Sequence, residues 1–402
     1  MNPTQHKENN SKPQLPNFSY SGPYKKAVEV CSFYGVSLIS PPEIQKDTQS
    51  YTDKFGSETE MNNKEPGFSI DERVAMIREY SEKNWETLTQ PVLVMYTKKP
   101  NPRGERFLYL HVIGLSKNIA DMLSIHLAWT ILGGALNKDL LLHINSMGDK
   151  ESGTQFVREL TSYFRKHINS LPVECRESFK NNILNVLKER RSECLMFQED
   201  APQSITFLSE SSRNFFKEII EFTETRSIPY LIDPSLVENK DAFSETIFSI
   251  NEKSGSGKGK TFATGARSDN LTRGSGMRKT VPVFSTTINI PGSTARESIK
   301  EVKEKKSKPW VYLIQLGEEA RLHSFELLEK LREAKIPTKV SFGKEKMSEQ
   351  MDQAERLKIS ITLIMGQKES LEHSVIVRNM KTHSQEIVDI NDAPKTIKKL
   401  LK

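Results

Sequence analysis

Residues 311–337 read VYLIQLGEEARLHSFELLEKLREAKIP, and this stretch decides the fold of the last part of the chain. Its apolar opening predicts a buried strand over 310–316. After Gly317, apolar side chains recur at helical spacing and predict a helix over 318–334. A buried strand followed at once by an amphipathic helix is the unit from which α/β sheets are built. The stretch therefore predicts an α/β domain.

The same alternation of strands and helices continues to the end of the chain. The pattern predicts further strands at 338–342, 359–365, 374–378 and 386–390, and further helices at 348–357 and 394–401. Alternation of this kind with apolar strands favours three layers around a mostly parallel sheet. We therefore expect one α/β domain over 309–402, preceded by a charged linker over 296–308.

The body of the chain, residues 21–295, alternates less regularly. Strand candidates at 91–96 and 107–113 flank the turn KKPNPRGER, and those at 245–250 and 261–263 flank the glycine-rich turn KSGSGKGK. Hairpins of this kind are typical of antiparallel sheets. The body is therefore predicted to be a larger α+β domain on an antiparallel sheet.

Some segments of the body and of the N-terminus make narrower predictions. Asp71 and Ser116 are expected to cap two helices, and Asp149 is expected to cap a third. Residues 172–205 are polar and predict an insertion-like connector. Residues 1–20 lack any hydrophobic periodicity and predict a disordered arm.

The composition limits the classes of function. The 58 basic and 52 acidic residues leave a net charge of only +6, so charge alone names no partner. The three cysteines are too few for a disulfide framework or a four-cysteine zinc site, and they predict a reducing, cytoplasmic location. No histidine has a second ligand at metal spacing, so no metal site is predicted. No run approaches the ~18 apolar residues that a membrane span needs, so no membrane partner is expected.

Several separated segments, in the same order along the chain, resemble histidyl-tRNA synthetase, a class II aminoacyl-tRNA synthetase. The segments 311–337, 365–369 (MGQKE) and 377–385 (VRNMKTHSQ) are similar to the anticodon-binding domain of that family. The similar segments of the body are 24–42, 144–152, 171–175, 201–209, 228–248 and 264–271. The resemblance implies an α+β class II synthetase-like antiparallel-sheet domain followed by a C-terminal α/β three-layer anticodon-binding-like domain.

The resemblance also implies substrates and partners. It implies tRNA or another RNA, a homodimer and, if activation survives, ATP and Mg²⁺. Class II activation concentrates negative charge at the ATP α-phosphate, which fixed arginines stabilise. At or next to the position of the second-motif arginine this chain has Tyr96, and residues 286–292 (TTINIPG) carry no charge where the third motif ends in arginine. Glu238 replaces the arginine of the first histidine-recognition segment, and the second segment, 265–270, lacks the family's tyrosine.

Candidate site residues follow from this resemblance. Lys98, Lys99 and Arg103 are the candidate substitutes for the missing arginines. Arg267 is the candidate catalytic arginine that remains, and Asp241 and Asp269 are candidate substrate-binding residues, although a salt bridge that holds a turn would also explain Arg267 and Asp269. In the C-terminal domain the candidate RNA-binding residues lie near strand ends and loops: Arg321, Lys344, Lys346, Arg378, Lys381 and His383.

Three hypotheses about function are left open by the residues, as is the question whether the chain is an enzyme. The first is a tRNA- or RNA-binding pseudoenzyme with weak or lost histidine activation, because one missing transition-state donor costs about 10²–10³ in rate. The second is a divergent active histidine–tRNA ligase that forms histidyl-adenylate from ATP. The third is a regulatory subunit like that of ATP phosphoribosyltransferase, which normally lacks an anticodon-binding domain.

Overall fold

The structure of the protein is a computed structural model. It describes residues 22–45, 65–98, 106–136, 138–254, 259–273, 277, 279–290 and 309–401. The predicted arm over 1–20, the predicted linker over 296–308 and the candidate residues Lys99 and Arg103 lie outside the described residues.

The body is built on one eight-stranded sheet with the order β1-β2-β3-β8-β7-β6-β4-β5. Its strands are β1 (Ser37–Leu38), β2 (Val92–Thr97), β3 (Phe107–Ile113), β4 (Leu140–Ser146), β5 (Tyr230–Ile232), β6 (Ser244–Glu252), β7 (Thr261–Arg267) and β8 (Val283–Asn289). The two outermost pairs, β1–β2 and β4–β5, are parallel, and the pairs between them are antiparallel. Both predicted hairpins, β2–β3 and β6–β7, are confirmed.

Helices cover both faces of this sheet. They are α1 (Gly22–Phe33), α2 (Ile70–Glu82), α3 (Ile119–Ala135), α4 (Lys150–Lys166), α5 (Val173–Asn181), α6 (Ile183–Lys188), α7 (Ser192–Glu199) and α8 (Glu210–Thr225). Because side chains alternate across a strand, one set of apolar residues packs against α2 and α4–α7, and the other packs against α1, α3 and α8. We call these sides the α2 face and the α3 face.

The predicted helix caps are partly wrong. Ser69, not Asp71, precedes α2, and its hydroxyl accepts a hydrogen bond from the Glu72 backbone N–H. Helix α3 begins after Asn118, so Ser116 does not cap it. The cap on α4 is confirmed, because Asp149 Oδ1 accepts a hydrogen bond of 2.9 Å from the Ser152 N–H.

Residues 172–205 are not the featureless connector that their polarity predicts. They form the short helices α5, α6 and α7, which bury Leu184, Val186 and Leu187, and a disulfide joins Cys175 in α5 to Cys194 in α7. Helices of six to nine residues are too short for apolar periodicity to reveal them. The pairing of the two cysteines depends on the chain folding back, which their spacing does not show.

The C-terminal domain has the predicted elements and one short helix, Gln367–Leu371, that was not predicted. They are β9 (Val311–Gln315), α9 (Glu318–Glu333), β10 (Thr338–Val340), α10 (Met347–Arg356), β11 (Ile361–Met365), α11 (Gln367–Leu371), β12 (Ser374–Asn379), β13 (Gln385–Asp389) and α12 (Ala393–Leu400). The five-stranded sheet has the order β10-β9-β11-β12-β13. Strands β9, β10 and β11 are parallel, but β12 and β13 are antiparallel, so the sheet is mixed rather than mostly parallel. The short α11 leaves too little chain for a parallel crossover from β11 to β12.

The C-terminal domain packs on the α3 face of the body. The ring of Phe325 in α9 lies 5.0 Å from the ring of His126 in α3 and 5.0 Å from the ring of Phe222 in α8. One apolar core is continuous across this contact. Within the described part of the chain, none of the helices combines the length and the hydrophobicity that a membrane crossing demands.

Candidate functional site

The candidate site lies on the α2 face of the sheet and begins with two charged residues of α2. Residues 70, 73, 74 and 77 share one side of this helix, so Arg73 stands among the apolar residues that face the sheet. Glu72 and Arg73 are both buried, at 6% and 2% exposure. A buried charge is costly unless it is paired, and both residues have partners.

Glu72 joins α2 to strand β2. Its Oε2 accepts a hydrogen bond of 2.9 Å from the hydroxyl of Tyr96, the residue that stands at or next to the position of the family's second-motif arginine. Its Oε1 forms an ion pair with the ammonium group of Lys98. Lys98, a predicted substitute for the missing arginines, is therefore committed to a carboxylate of its own chain.

Arg73 is the guanidinium group that the sequence did not point to. Its Nη1 donates to the carbonyl of Ala266 at 2.9 Å, and its Nη2 donates to the carbonyl of Ser285 at 3.2 Å. Burial lowers the pKa of Arg73 to about 9, so the group is still charged at neutral pH. Its hydrogens are directed at strands β7 and β8, where they hold the sheet to α2.

An aromatic stack covers β2 and β3 on the same face. The ring of Tyr96 stacks on Tyr109 at 4.9 Å and on His111 at 5.5 Å. His111 Nδ1 lies 2.8 Å from Ser285 Oγ in the neighbouring strand. Burial, together with the charge of Arg73, lowers the pKa of His111 to about 3, so its ring is neutral. All three rings are at most 3% exposed, so this part of the face is filled by side chains of the protein itself.

Arg267, the candidate catalytic arginine, points to the opposite side of the sheet. It lies on the α3 face, where its Nη2 forms an ion pair with Asp121 of α3 and donates to the Lys117 carbonyl at 3.0 Å. Its Nη1 lies 3.4 Å from Asp269 Oδ2. Burial acts to lower the pKa of Arg267, but Asp121 and Asp269 outweigh it and raise that pKa. The structure therefore does not bring Arg267 together with Lys98.

The two candidate substrate-binding carboxylates are also engaged within the chain. Asp269 accepts a hydrogen bond of 2.7 Å from the Val283 N–H in addition to its contact with Arg267. Asp241 is itself exposed and pairs with its neighbour Lys240 at 2.9 Å. Glu238, on the same loop as Asp241, pairs with Lys188 at 2.9 Å. The roles of Arg267, Asp241 and Asp269 in chemistry remain predictions.

The candidate RNA-binding residues fall at two opposite ends of the C-terminal sheet. Arg321, Lys344 and Lys346 follow the carboxyl ends of the parallel strands β9 and β10, and we call this end the carboxyl end. Arg378, Lys381 and His383 lie at the β12–β13 turn, and we call this end the hairpin end. Asn379 at the end of β12 pairs with Ile361 at the start of β11, so the hairpin end lies at the end of the sheet opposite to the carboxyl end.

The carboxyl end abuts the body of the protein. Glu345 forms ion pairs with Lys117 of the body and with Arg321, the latter at 3.4 Å. A Cβ on Gly343 would lie 3.2 Å from the Gln90 carbonyl oxygen. At the hairpin end Lys381 and His383 are exposed, and at the carboxyl end Lys346 is exposed while Lys344 is half-buried. The two ends therefore differ in how freely an RNA can approach them.

The described residues do not fit ATP with Mg²⁺ at the candidate site. Lys98 and Arg73 are bound to groups of the chain, Arg267 lies on the other face, and stacked rings occupy the surface between them. Arg106 at the start of β3 is the exception, because it is buried and its Nε hydrogen has no partner among the described residues. No cluster of three or more metal-ligating side chains occurs within the residues that the structure describes.

Sequence reasoning missed Glu72, Arg73 and His111. The sequence pattern could have pointed to Arg73, because a charged residue at an apolar position of an amphipathic helix is expected to be buried and paired. No such pattern pointed to the pairing of His111 with Ser285, because it depends on the register of β3 against β8. The candidate site therefore combines Tyr96 and Lys98, which the resemblance pointed to, with three residues that it did not single out.

Known proteins are similar to this chain over most of its length. Residues 310–400 match a family model described as an anticodon binding domain. The chain is 28% identical over 394 residues to a histidine–tRNA ligase of Bacillus licheniformis, which covers 92% of each chain. It is 26% identical over 411 residues to that of Caldanaerobacter subterraneus, which covers 96% of this chain and 98% of the relative.

A solved structure shows the same fold. Apo histidyl-tRNA synthetase of S. aureus superposes with a TM-score of 0.50 at 20% identity and covers 94% of both chains. Sequence relatives and fold agree with the class II synthetase-like domain and the C-terminal domain described above. The chain is therefore similar over most of its length to histidine–tRNA ligases, and its residues 310–400 match an anticodon binding domain.

Proposed function

We propose that the protein binds tRNA through its C-terminal domain and has weak or lost histidine activation. The proposed loss of histidine activation rests on one observation, which is that cations at the candidate site already pair with groups of the chain. Lys98 is paired with Glu72, and both Nη atoms of Arg73 are used by backbone carbonyls. A transition state with developing negative charge needs donors that are aimed at it and not already engaged.

RNA binding is supported by the C-terminal domain. Residues 310–400 match an anticodon binding domain, and the relatives in sequence are named histidine–tRNA ligases. Single-stranded loops of RNA are recognised by exposed cations and by side chains that stack on bases. The hairpin end, with Lys381 and His383 exposed, offers such groups to solvent.

Histidine-dependent exchange of pyrophosphate into ATP tests the loss of activation. We expect a rate at least about 10²-fold below that of an active histidyl-tRNA synthetase assayed in parallel, which is the cost of one missing transition-state donor. A comparable rate would favour the alternative, a divergent active ligase in which Lys99 or Arg103 supplies the charge. In that case Lys99→Ala with Arg103→Ala would abolish exchange.

Binding of a fluorescent tRNA transcript to the full chain tests the RNA-binding half. The variant Lys381→Ala/His383→Ala removes two side chains at the hairpin end, and Lys344→Ala/Lys346→Ala removes two at the carboxyl end. We expect the first to weaken binding at least about fivefold, because each lost phosphate contact lowers the affinity. We expect the second to have less effect, because the carboxyl end abuts the body. Absence of tRNA binding by the unmodified protein would contradict the proposal.

A homodimer and a cytoplasmic location belong to the same proposal. Light scattering on the purified protein gives the mass directly, and the monomer mass is 45.9 kDa. A dimer is expected at about twice this value. A monomer at every concentration tested would remove the dimer from the proposal and leave RNA binding in place.

A further inference from the structure

An open groove of about 590 Å³ runs along the outer side of α4. Helix α4 buries Phe156, Leu160 and Phe164 against the body and turns its opposite side outward. The residues that line the groove are Thr154, Val157, Arg158, Thr161, Ser162, Arg165, Lys166 and Lys240. This surface lies on the body, apart from the C-terminal domain that the proposed function uses.

The chemistry of the lining is that of a polyanion site. Four of the eight lining residues are cations, three carry hydroxyl groups and none is acidic. From Thr154 to Lys166 the helix extends about 18 Å, enough to meet several successive phosphates of one strand. Arg and Lys together with Ser and Thr hydroxyls supply most contacts to phosphates in nucleic-acid interfaces.

Two of the cations have no carboxylate partner. Arg165 and Lys166 are exposed, and neither forms an ion pair with another described residue. Their position in the last turn of α4 also suits the helix dipole, which would account for their charge without a ligand. Arg158 and Lys240 do have carboxylate partners, since Arg158 pairs with Glu159 at 3.0 Å and Lys240 pairs with Asp241 at 2.9 Å.

Lys240 connects the groove to the candidate site. Its side chain crosses α4 at Gly153, where an added Cβ would lie 3.2 Å from Lys240 Cβ. Its carbonyl accepts a hydrogen bond of 3.1 Å from Asn270, close to Arg267 and Asp269. Phe243, three residues further on, lies under the guanidinium of Arg73 at 5.1 Å. The groove is thus separated from the candidate site by one loop.

We propose that this groove binds the phosphodiester backbone of RNA, as a second contact independent of the C-terminal domain. The inference extends the proposed function, since it places an RNA contact on the body. The phosphodiester backbone is the proposed partner because its negative charges complement the cations and hydroxyl groups along the groove. An RNA duplex end held there lies next to the loop that carries Lys240 and Phe243.

The test uses the full chain and two fluorescent probes, a tRNA transcript and a short RNA hairpin that has no anticodon loop. The groove variant is Arg158→Gln/Arg165→Gln/Lys166→Gln. The control variant, Lys25→Gln/Lys26→Gln/Lys217→Gln, removes as many exposed cations from α1 and α8, and Lys25 and Lys217 are paired with glutamates in the way that Arg158 is. Affinity is measured by fluorescence anisotropy over a series of salt concentrations.

The groove variant is expected to bind the hairpin at least about tenfold more weakly, with a salt dependence shallower by about 2, since each lost phosphate contact removes ~0.7–0.9 from the slope. The control variant is expected to bind within about twofold of the unmodified protein. Equal effects of the two variants, or no hairpin binding by the unmodified protein, would overturn the proposal. Displacement of the RNA by polyaspartate at equal charge concentration would also overturn it, because the site would then not select RNA.

A gain-of-function variant keeps the test informative if the groove variant is unstable. Ser162 is exposed and lines the groove, so Ser162→Arg adds a cation where the proposal needs one. We expect tighter hairpin binding and a steeper salt slope by about 1. Unchanged hairpin binding by Ser162→Arg would contradict the proposal that the groove binds RNA. If the variant Lys381→Ala/His383→Ala loses tRNA binding and still binds the short RNA hairpin, that result would support two separate RNA contacts, one in the C-terminal domain and one in the groove.

Discussion

Tyr34, just after the end of α1, donates its hydroxyl hydrogen to Oε1 of Glu329 in α9 at 2.5 Å, across 295 residues of sequence. His126 of α3 completes the contact, with Nε2 at 2.7 Å from the Tyr34 oxygen and 3.0 Å from Glu329 Oε1. Because Tyr34 has one hydroxyl hydrogen, His126 must carry its own on Nε2. The group ties the anticodon-binding domain to the body.

The charges at this contact follow from burial and hydrogen bonding. Burial acts to raise the pKa of Glu329, but hydrogen bonds from His126, Arg332 and Tyr34 outweigh it and hold that pKa far below its usual value. Burial lowers the pKa of His126, so its ring is neutral. Glu329 is therefore a carboxylate that the neighbouring donors stabilise inside the domain contact.

Tyr34→Phe should destabilise the protein by about 1–3 kcal/mol, because it leaves a buried carboxylate oxygen with one donor fewer. Urea unfolding measures the loss. The control is Tyr230→Phe, which removes a similar 2.8 Å hydrogen bond to Glu224 at the surface. It should cost less than about 0.5 kcal/mol. Equal losses in the two variants would mean that the buried contact does not hold the domains together.

Glu245→Gln should change how stability depends on pH. Glu245 has a positive φ of 51° in β6, and its Oε2 is buried without a hydrogen-bond partner. Burial raises the pKa of Glu245 to about 7, against the hydrogen bond from Ser212, with Asp121 and Asp149 adding to the rise and Arg267 opposing it. The fold therefore favours the protonated acid, and this stabilisation is lost as the pH rises through about 7.

At pH 8.5 the Gln variant should be more stable than the unmodified protein by about 1–3 kcal/mol, and near pH 4.5 the two should be alike. Thermal unfolding across this range measures the difference. Glu151→Gln, at an exposed position of α4, serves as the control and should show a pH-independent offset. A difference that grows toward low pH would have the wrong sign for a raised pKa.

Arg267→Met should cost about 3–5 kcal/mol of stability, because it leaves Asp121 buried and unpaired. Both side chains are at most 2% exposed. Replacing both partners, as Arg267→Met with Asp121→Leu, should cost less than Arg267→Met alone, since no charge is then stranded. Urea unfolding of the single and double variants checks this. A stable Arg267→Met protein that lost histidine-dependent exchange would instead place Arg267 in substrate binding.

The disulfide between Cys175 and Cys194 should leave one free thiol per denatured chain, that of Cys31. Closing a loop of this length is worth about 3 kcal/mol, so a reducing agent should lower the stability of the unmodified protein and leave Cys175→Ser unchanged. Thiol titration after rapid alkylation in cells gives the redox state where the protein resides. Three thiols there would contradict the disulfide and would agree with a cytoplasmic location, where disulfides are rare.

The sequence by itself determined the local structure and the fold class. Apolar periodicity located the strands and all but one short helix of residues 310–401, and both body hairpins, because these patterns are repeats of a few residues. The resemblance in those segments was enough to indicate the family. The helices over 173–199 escaped detection because each has only two or three turns.

The tertiary structure alone decided which residues meet. Whether Arg267 and Lys98 share a face depends on the alternation along β7 and on a bulge in β6, and whether Arg378 lies beside Lys344 depends on the direction of β12. Arg73 reaches the sheet only because α2 packs across β7 and β8. Strand order, register and packing are fixed by contacts between residues far apart in sequence, and a local pattern does not contain that information.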